Sequence, residues 1–283
     1  MQTLPLKSIL FGEFLGTLVL ILLGDGVVAA VQLQFQDAPA NWIVITTGWA
    51  LAVTLGVYVS GRLSGGHLNP AVTLALASRG EVAWAHVLPY CLAQFAGAFC
   101  GALLVYADYA SAFSAFEAAN QLVRGTMSEG KLLGPAAGGA GVFATYPAFD
   151  RIWGNVLSEF LGTCMLLVGV RAVTDRKNAS PGMNLEPVLV GLVVWAIGLS
   201  LGGLTGYAIN PARDFGPRLA SMVLGWGPSV FQSHQSYFWI PLLVPVLGGV
   251  VGIWVYDVMI HGNLPSVEDP KADSSPSRPD VLD

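Results

Sequence analysis

Two short stretches carry the side chains best suited to do chemistry: Asn69-Pro70-Ala71 and Asn210-Pro211-Ala212. Asn is a favoured helix cap and Pro a favoured first helical residue, so each Asn-Pro predicts a helix start. The apolar run after the first, 71–77, stops at Ser78-Arg79-Gly80-Glu81. The run after the second is broken by Gly216-Pro217 and fades into the Gly225-Trp226-Gly227-Pro228 turn. Neither approaches the ~20 apolar residues that cross a bilayer. A helix start presents unpaired N–H groups and the positive end of a dipole, about half an elementary charge. If each Asn oxygen caps its own helix, its NH2 group is left as an outward donor. Two such ends facing one another repel cations and protons, whereas a neutral hydroxylic solute or water can accept their hydrogen bonds.

The rest of the chain says where these ends must lie. Of 283 residues 54% are hydrophobic and only 11% charged, against ~25% charged in soluble domains. The composition predicts a polytopic membrane protein. Six spans are expected, near 8–31, 42–60, 82–107, 152–173, 187–201 and 237–260. The first run is too long for a secretion signal and carries Glu13, so it is expected in the mature fold. The net charge of −5 is mild and several acids sit near the C-terminal end, which leaves no case for a nucleic-acid partner. Cys91, Cys100 and Cys164 have neither a metal site's spacing nor a disulfide framework's even count, and read as small hydrophobes.

Glu13-Phe14-Leu15-Gly16-Thr17 recurs letter for letter as Glu159-Phe160-Leu161-Gly162-Thr163, and each Asn-Pro-Ala follows at nearly the same offset. The chain therefore reads as a tandem duplication. Each copy holds three spans, an odd number, so the second enters the membrane from the opposite face. The repeats are inverted, and their half-helices dip towards a common midplane. The expected fold class is all-α, with six transmembrane helices and two re-entrant half-helices. The expected organisation is a first repeat over 1–107, an extracellular connecting loop over 108–150, a second repeat over 151–261 and a disordered cytoplasmic tail over 262–283. Arg124, Lys131, Arg151, Arg213 and Arg218 fall on one side, and the remaining eight Lys and Arg on the other, which assigns both termini to the cytoplasm.

The backbone ahead of each tripeptide must be non-helical. Gly65, Gly66, His67 and Leu68 supply it in the first copy, and Gly206, Tyr207 and Ala208 in the second. Irregular backbone at this depth survives only inside protein or along a wet cavity, and its carbonyls then form a ladder of acceptors. Such a ladder facing an apolar wall suits a polyol with its hydroxyls on one side.

His67-Leu68-Asn69-Pro70-Ala71-Val72 and Asn210-Pro211-Ala212-Arg213-Asp214 resemble the paired signatures of the aquaporin superfamily, and most closely its glycerol-facilitator branch. The likeness covers about 7–262. The resemblance implies that Arg213 stands at the narrowest constriction on the outer side, with Trp49 and Tyr207 as an apolar corner. It implies that Gly198 stands where water-selective members carry His, its missing side chain leaving room for a third carbon. It implies that Asp214 is a trait of the glycerol branch, and that Tyr207 stands where the best-known bacterial member has Phe and other glycerol channels have Tyr, so that its hydroxyl bears on the width and polarity of the filter. A homotetramer in the cell membrane is implied in the same way.

Other readings compete for the same residues. Glu13 and Glu159 are intramembrane carboxylates that could couple transport to protons; the repeat favours bracing of the approach loops. His67 reads as a titrating gate or as a hydrogen-bonded structural residue. Asp25, near the outer end of the first span, reads as interfacial. The leading functional reading is a passive facilitator for glycerol and similar small neutral solutes, with some water. A water-selective channel and a coupled secondary transporter are the alternatives. No Zn-type His pair, nucleophile–base set or cofactor motif supports an enzyme, a metal site or a cofactor.

Overall fold

The computed structural model describes residues 5–35, 41–178 and 182–265. The first half contributes α1 (Leu6–Ala29), α2 (Asn41–Ser64), the nine-residue α3 (Pro70–Ser78) and α4 (Trp84–Asp108). A connector follows, with α5 (Ala110–Ala119), a hairpin of β1 (Met127–Ser128) and β2 (Lys131–Leu132), and α6 (Pro135–Gly138). The second half repeats the opening order with α7 (Ile152–Thr174), α8 (Glu186–Leu201), the 11-residue α9 (Pro211–Ser221) and, after an added short α10 (Ser229–Ser236), α11 (Trp239–Met259). Five helices among the described residues are long and apolar enough to cross a membrane. The expected fifth span is α8, whose 16 residues cover about 24 Å.

Packing follows the duplication. α1 lies against α2 and α4, α7 against α8 and α11, and α2 against α8 joins the halves. Each half-helix crosses over: α3 packs on α11, and α9 on α4. Without hydrophobic drive between helices in lipid, close backbone approach is what holds such pairs together. Gly97 of α4 has no room for a Cβ because the Phe14 carbonyl stands there, and Gly248 of α11 is blocked in the same way by the Phe160 carbonyl. Phe14 and Phe160 are the same letter of the repeated pentapeptide.

Three sequence expectations need correction. The second half-helix is not broken at Gly216-Pro217 but runs on to Ser221 with Pro217 inside it. Pro217 lacks only the N–H that would reach the Arg213 carbonyl. Gly216 lets that turn settle on α4, where a Cβ would lie 2.6 Å from the Ala98 Cβ. The connector over 108–150 is also more than a loop. Phe113 of α5 stacks on Phe143 with ring centroids 5.5 Å apart, and Trp226 sits edge-on to both. That buried aromatic cluster ties the connector to the far end of the second half-helix. The first two residues of the expected tail, 262 and 263, close a turn begun by His261, whose Nδ1 is 2.7 Å from Asp175 Oδ2; the tail from 266 on lies outside the described residues.

Candidate functional site

The two Asn residues bring the half-helix tips together. Each is extended and caps its own helix: Asn69 Oδ1 accepts from the Ala71 N–H at 2.8 Å, and Asn210 Oδ1 from the Ala212 and Arg213 N–H groups at 3.0 and 3.2 Å. Neither NH2 group is left wholly free, contrary to the sequence expectation. Asn69 Nδ2 donates to the Ile209 carbonyl at 2.9 Å, and Asn210 Nδ2 to the Leu68 carbonyl at 2.8 Å. An amide NH2 has two hydrogens, so each Asn fastens the opposite approach strand with one and keeps one. The Leu68 carbonyl, expected in the acceptor ladder, is engaged by that crossing.

The approach strands hold left-handed backbone that side chains normally avoid. Leu68 has φ 53°, Tyr207 39° and Ile209 41°, each costing on the order of 1–3 kcal/mol unless the surroundings enforce it. Two fully buried glutamates provide the enforcement. Glu13 accepts from the Ser64 hydroxyl (2.5 Å), the His67 N–H (3.0 Å), the Leu68 N–H (2.7 Å) and Gln94 Nε2 (2.7 Å). Glu159 accepts from the Ala208 and Ile209 N–H groups at 3.0 and 2.8 Å. The His67 ring stacks on Tyr90 at 4.5 Å, and its Nδ1 lies 3.1 Å from Thr73 Oγ1.

Two cavities, of about 530 and 450 Å³, adjoin these elements. Gly65, Gly66, His67, Leu68, Asn69, Ala208, Ile209 and Asn210 line the larger, which is closed by an apolar wall that includes Leu20, Val53, Leu166 and Val194. Gly206, Thr145, Tyr146, Lys131 and His234 are among the residues around the smaller. Trp49, Tyr207 and Arg213 line both. The Arg213 guanidinium carbon lies 4.0 Å from the centre of the Trp49 ring, and Nη1 is 3.4 Å from the Phe143 carbonyl. The junction therefore has one cationic donor and two aromatic faces.

Gly198 lines neither cavity, so any room its missing side chain leaves for solute is made indirectly. A Cβ there would lie 2.8 Å from Tyr207 Cζ and 3.0 Å from Thr46 Cγ2. The vacated space holds the Tyr207 ring. Trp42 pins the same corner, with its indole donating to the Gly198 carbonyl at 3.1 Å and its rings edge-on to Tyr207 at 5.8 Å. The Tyr207 hydroxyl is buried with no hydrogen-bond partner among the described residues. It is packed into the wall, and the ring is the part of Tyr207 that borders the junction. Tyr207→Phe is accordingly expected to keep the glycerol-to-water flux ratio within about twofold. It should also raise the thermal midpoint, because a buried hydroxyl without a partner costs roughly 1–3 kcal/mol. A ratio shifted well beyond twofold would place the hydroxyl in the path.

Asp214 faces away from the junction. Its carboxylate accepts from the Thr145 N–H and hydroxyl at 2.8 and 2.7 Å and from Arg218 Nε at 2.9 Å. Arg218, which the sequence reading only counted among the charges of the outer side, is buried; it donates to the Thr145 and Val230 carbonyls, both at 2.7 Å. The signal available for it was the Asp–Arg spacing of four on one helix. Thr145 and Phe143 come from the connector, so this network fixes the outer rim onto the second half-helix. Asp25, read as interfacial, is instead completely buried with Oδ1 3.6 Å from Arg213 Nη1. At the wide end, Asp150 bridges Lys131 (3.0 Å) and His234 (2.8 Å). Burial opposes its charge, but hydrogen bonds from His234 and Lys131 hold it below the ordinary carboxylate range.

Comparison with known proteins matches this geometry. The family model "Major intrinsic protein" matches residues 1–256. The "Probable glycerol uptake facilitator protein" of Thermotoga maritima is 46% identical over 251 residues, covering 88% of this chain and 98% of that protein. The "Glycerol uptake facilitator protein 3" of Lactiplantibacillus plantarum is 45% identical over 256 residues, covering 90% and 98%. The X-ray structure of the aquaglyceroporin from Plasmodium falciparum superposes with a TM-score of 0.78 at 32% identity, covering 89% of this chain and 96% of that one.

Proposed function

The chain belongs to the major intrinsic protein family, and from that premise we propose that it is a passive channel for glycerol and other small neutral solutes, with some water, that excludes ions and protons. Relatives named as glycerol uptake facilitators support the substrate. The observation that carries the reading is the junction where the two cavities share Trp49, Tyr207 and Arg213. A polyol can direct its hydroxyl oxygens to the Arg213 donors while its CH edge slides over the two rings. Below the junction, free carbonyls of the approach strands accept hydroxyl hydrogens, and the remaining hydrogens of Asn69 and Asn210 donate to hydroxyl oxygens. These exchanges replace hydration lost in single file. The paired dipole ends and Arg213 set an electrostatic barrier to cations and protons.

The protein is a multi-pass membrane protein. The same proposal places it in the cell (plasma or inner) membrane, with both termini cytoplasmic, as a homotetramer. Coupling to protons would need a carboxylate free to exchange them at the solute site. Glu13 and Glu159 instead direct their oxygens to the approach strands.

Stopped-flow light scattering on proteoliposomes, comparing glycerol, urea and water, tests the proposal. Glycerol equilibration is expected well above that of protein-free vesicles and unchanged when a protonophore collapses the proton gradient. Flux that disappears with the gradient would indicate a coupled transporter.

A further inference from the structure

Asp25 carries a carboxyl group that the channel reading leaves unexplained. It sits on α1, is 0% exposed, and neither carboxylate oxygen has a hydrogen-bond donor among the described residues. A buried carboxylate without donors is costly and is retained only where a charge compensates it. Among the described residues the cation beside it is Arg213, with Nη1 3.6 Å from Oδ1, an ion-pair separation that is too long for a hydrogen bond. Asp25 lines neither cavity. Any effect it has on solutes must pass through Arg213.

The other contacts of that guanidinium show what the carboxylate adds. Trp49 supports one face at 4.0 Å, and the Phe143 carbonyl is 3.4 Å from Nη1, a long contact. Asp214 and Glu159, the nearby acids of the second half, are taken by Arg218 and Thr145 and by the Ala208 and Ile209 amides. Trp49 in turn has its place because Gly24, the residue before Asp25, carries no side chain: a Cβ there would lie 2.5 Å from Trp49 Cε3 and closer still to its neighbour on the ring. Gly24 and Asp25 thus form one device on α1 that seats the ring and draws the guanidinium over it.

We propose that Asp25 is a specificity-determining positioning residue, whose carboxylate holds the Arg213 guanidinium back against Trp49 and offsets its charge, keeping the junction wide enough for a three-carbon polyol. The inference rests on the reading of Arg213 as the donor at the constriction. Without the carboxylate, the strongest pull on the guanidinium is hydration in the adjoining cavities, so it moves into the conduit. A swung guanidinium obstructs glycerol much more than water.

Asp25→Asn keeps the shape and removes the charge; Asp25→Val keeps approximately the volume and leaves no buried polar group, so it serves if the Asn variant does not accumulate in the membrane. Each is reconstituted in proteoliposomes in the native and in an Arg213→Ala background, and glycerol and water permeabilities are read by stopped flow. The expected result is a glycerol permeability lowered about fivefold or more with water changed less than about twofold, about 1 kcal/mol of selective barrier. That loss should shrink to under about twofold once Arg213 is absent, and the thermal midpoint of Asp25→Val should be unchanged or higher. Equal losses of glycerol and water, no loss, or the same selective loss in both backgrounds would overturn the proposal. Arg213→Ala alone tests the underlying reading separately: unaltered solute and proton permeability there would remove Arg213 from the filter whatever Asp25 does.

Discussion

Gly198→Ala is expected to reduce glycerol permeability about tenfold, equivalent to ~1.4 kcal/mol of added barrier, while water permeability falls far less. The added methyl would lie 2.8 Å from Tyr207 Cζ and 3.0 Å from Thr46 Cγ2, separations that force a shift. Thr46 belongs to the packed face of α2 and is fully buried, so the ring is the part with space on its other side. That space is the junction with Arg213 and Trp49. Gly198→His, with a larger side chain, should act in the same direction and more strongly. Pairing Gly198→Ala with Tyr207→Leu removes the ring that is displaced and should restore much of the glycerol flux. The check is the ratio of the two permeabilities in the same vesicles. Glycerol and water falling in parallel, or no rescue by the second substitution, would show that Gly198 does not act through Tyr207.

Glu13→Leu should be the most damaging single change to stability. It strands the His67 and Leu68 N–H groups and takes one acceptor each from the Ser64 hydroxyl and the Gln94 amide, all now bonded to one carboxylate. Each buried donor left unpaired costs roughly 1–3 kcal/mol, so the two backbone groups alone amount to about 2–6 kcal/mol. Leu68, with φ 53°, also loses what enforces its backbone. The variant is expected to be scarce in the membrane, and any recovered protein to melt about 10 °C or more below the native protein. Glu13→Gln keeps one acceptor and should fall between. Water and glycerol flux should decline together, because the collapsed strand carries the conduit for both. Thermal unfolding in detergent beside vesicle flux makes the comparison. A stable Glu13→Leu protein with native flux would refute the bracing role, and a Glu13→Gln protein that gains or loses sensitivity to a protonophore would reopen proton coupling.

Much of this molecule is legible in one dimension because membrane insertion and duplication leave local signatures. The apolar runs place the long helices to within a few residues, since lipid dictates their length and leaves no room for unpaired backbone. The repeated pentapeptide and the paired Asn-Pro-Ala tripeptides give the inverted halves and their short helices. Pro217 misled because the cost of an interior proline is read locally, whereas α4 supports that turn from outside.

What the sequence could not decide is who meets whom across the long separations. That Asn69 spends a hydrogen on Ile209, and Asn210 one on Leu68, depends on the two tips arriving in register from opposite faces. Gly198 is a vacancy in the sequence; only the fold fills it with the Tyr207 ring. Asp25 looks like a polar residue at the end of a span until folding buries it beside Arg213, 188 positions away in a chain where Arg213 has its own helix to start. Periodicity, caps and repeats are written into neighbouring residues and survive being read alone. The width and charge of the junction are set by distances between helices, and those exist only after the two halves have closed on each other.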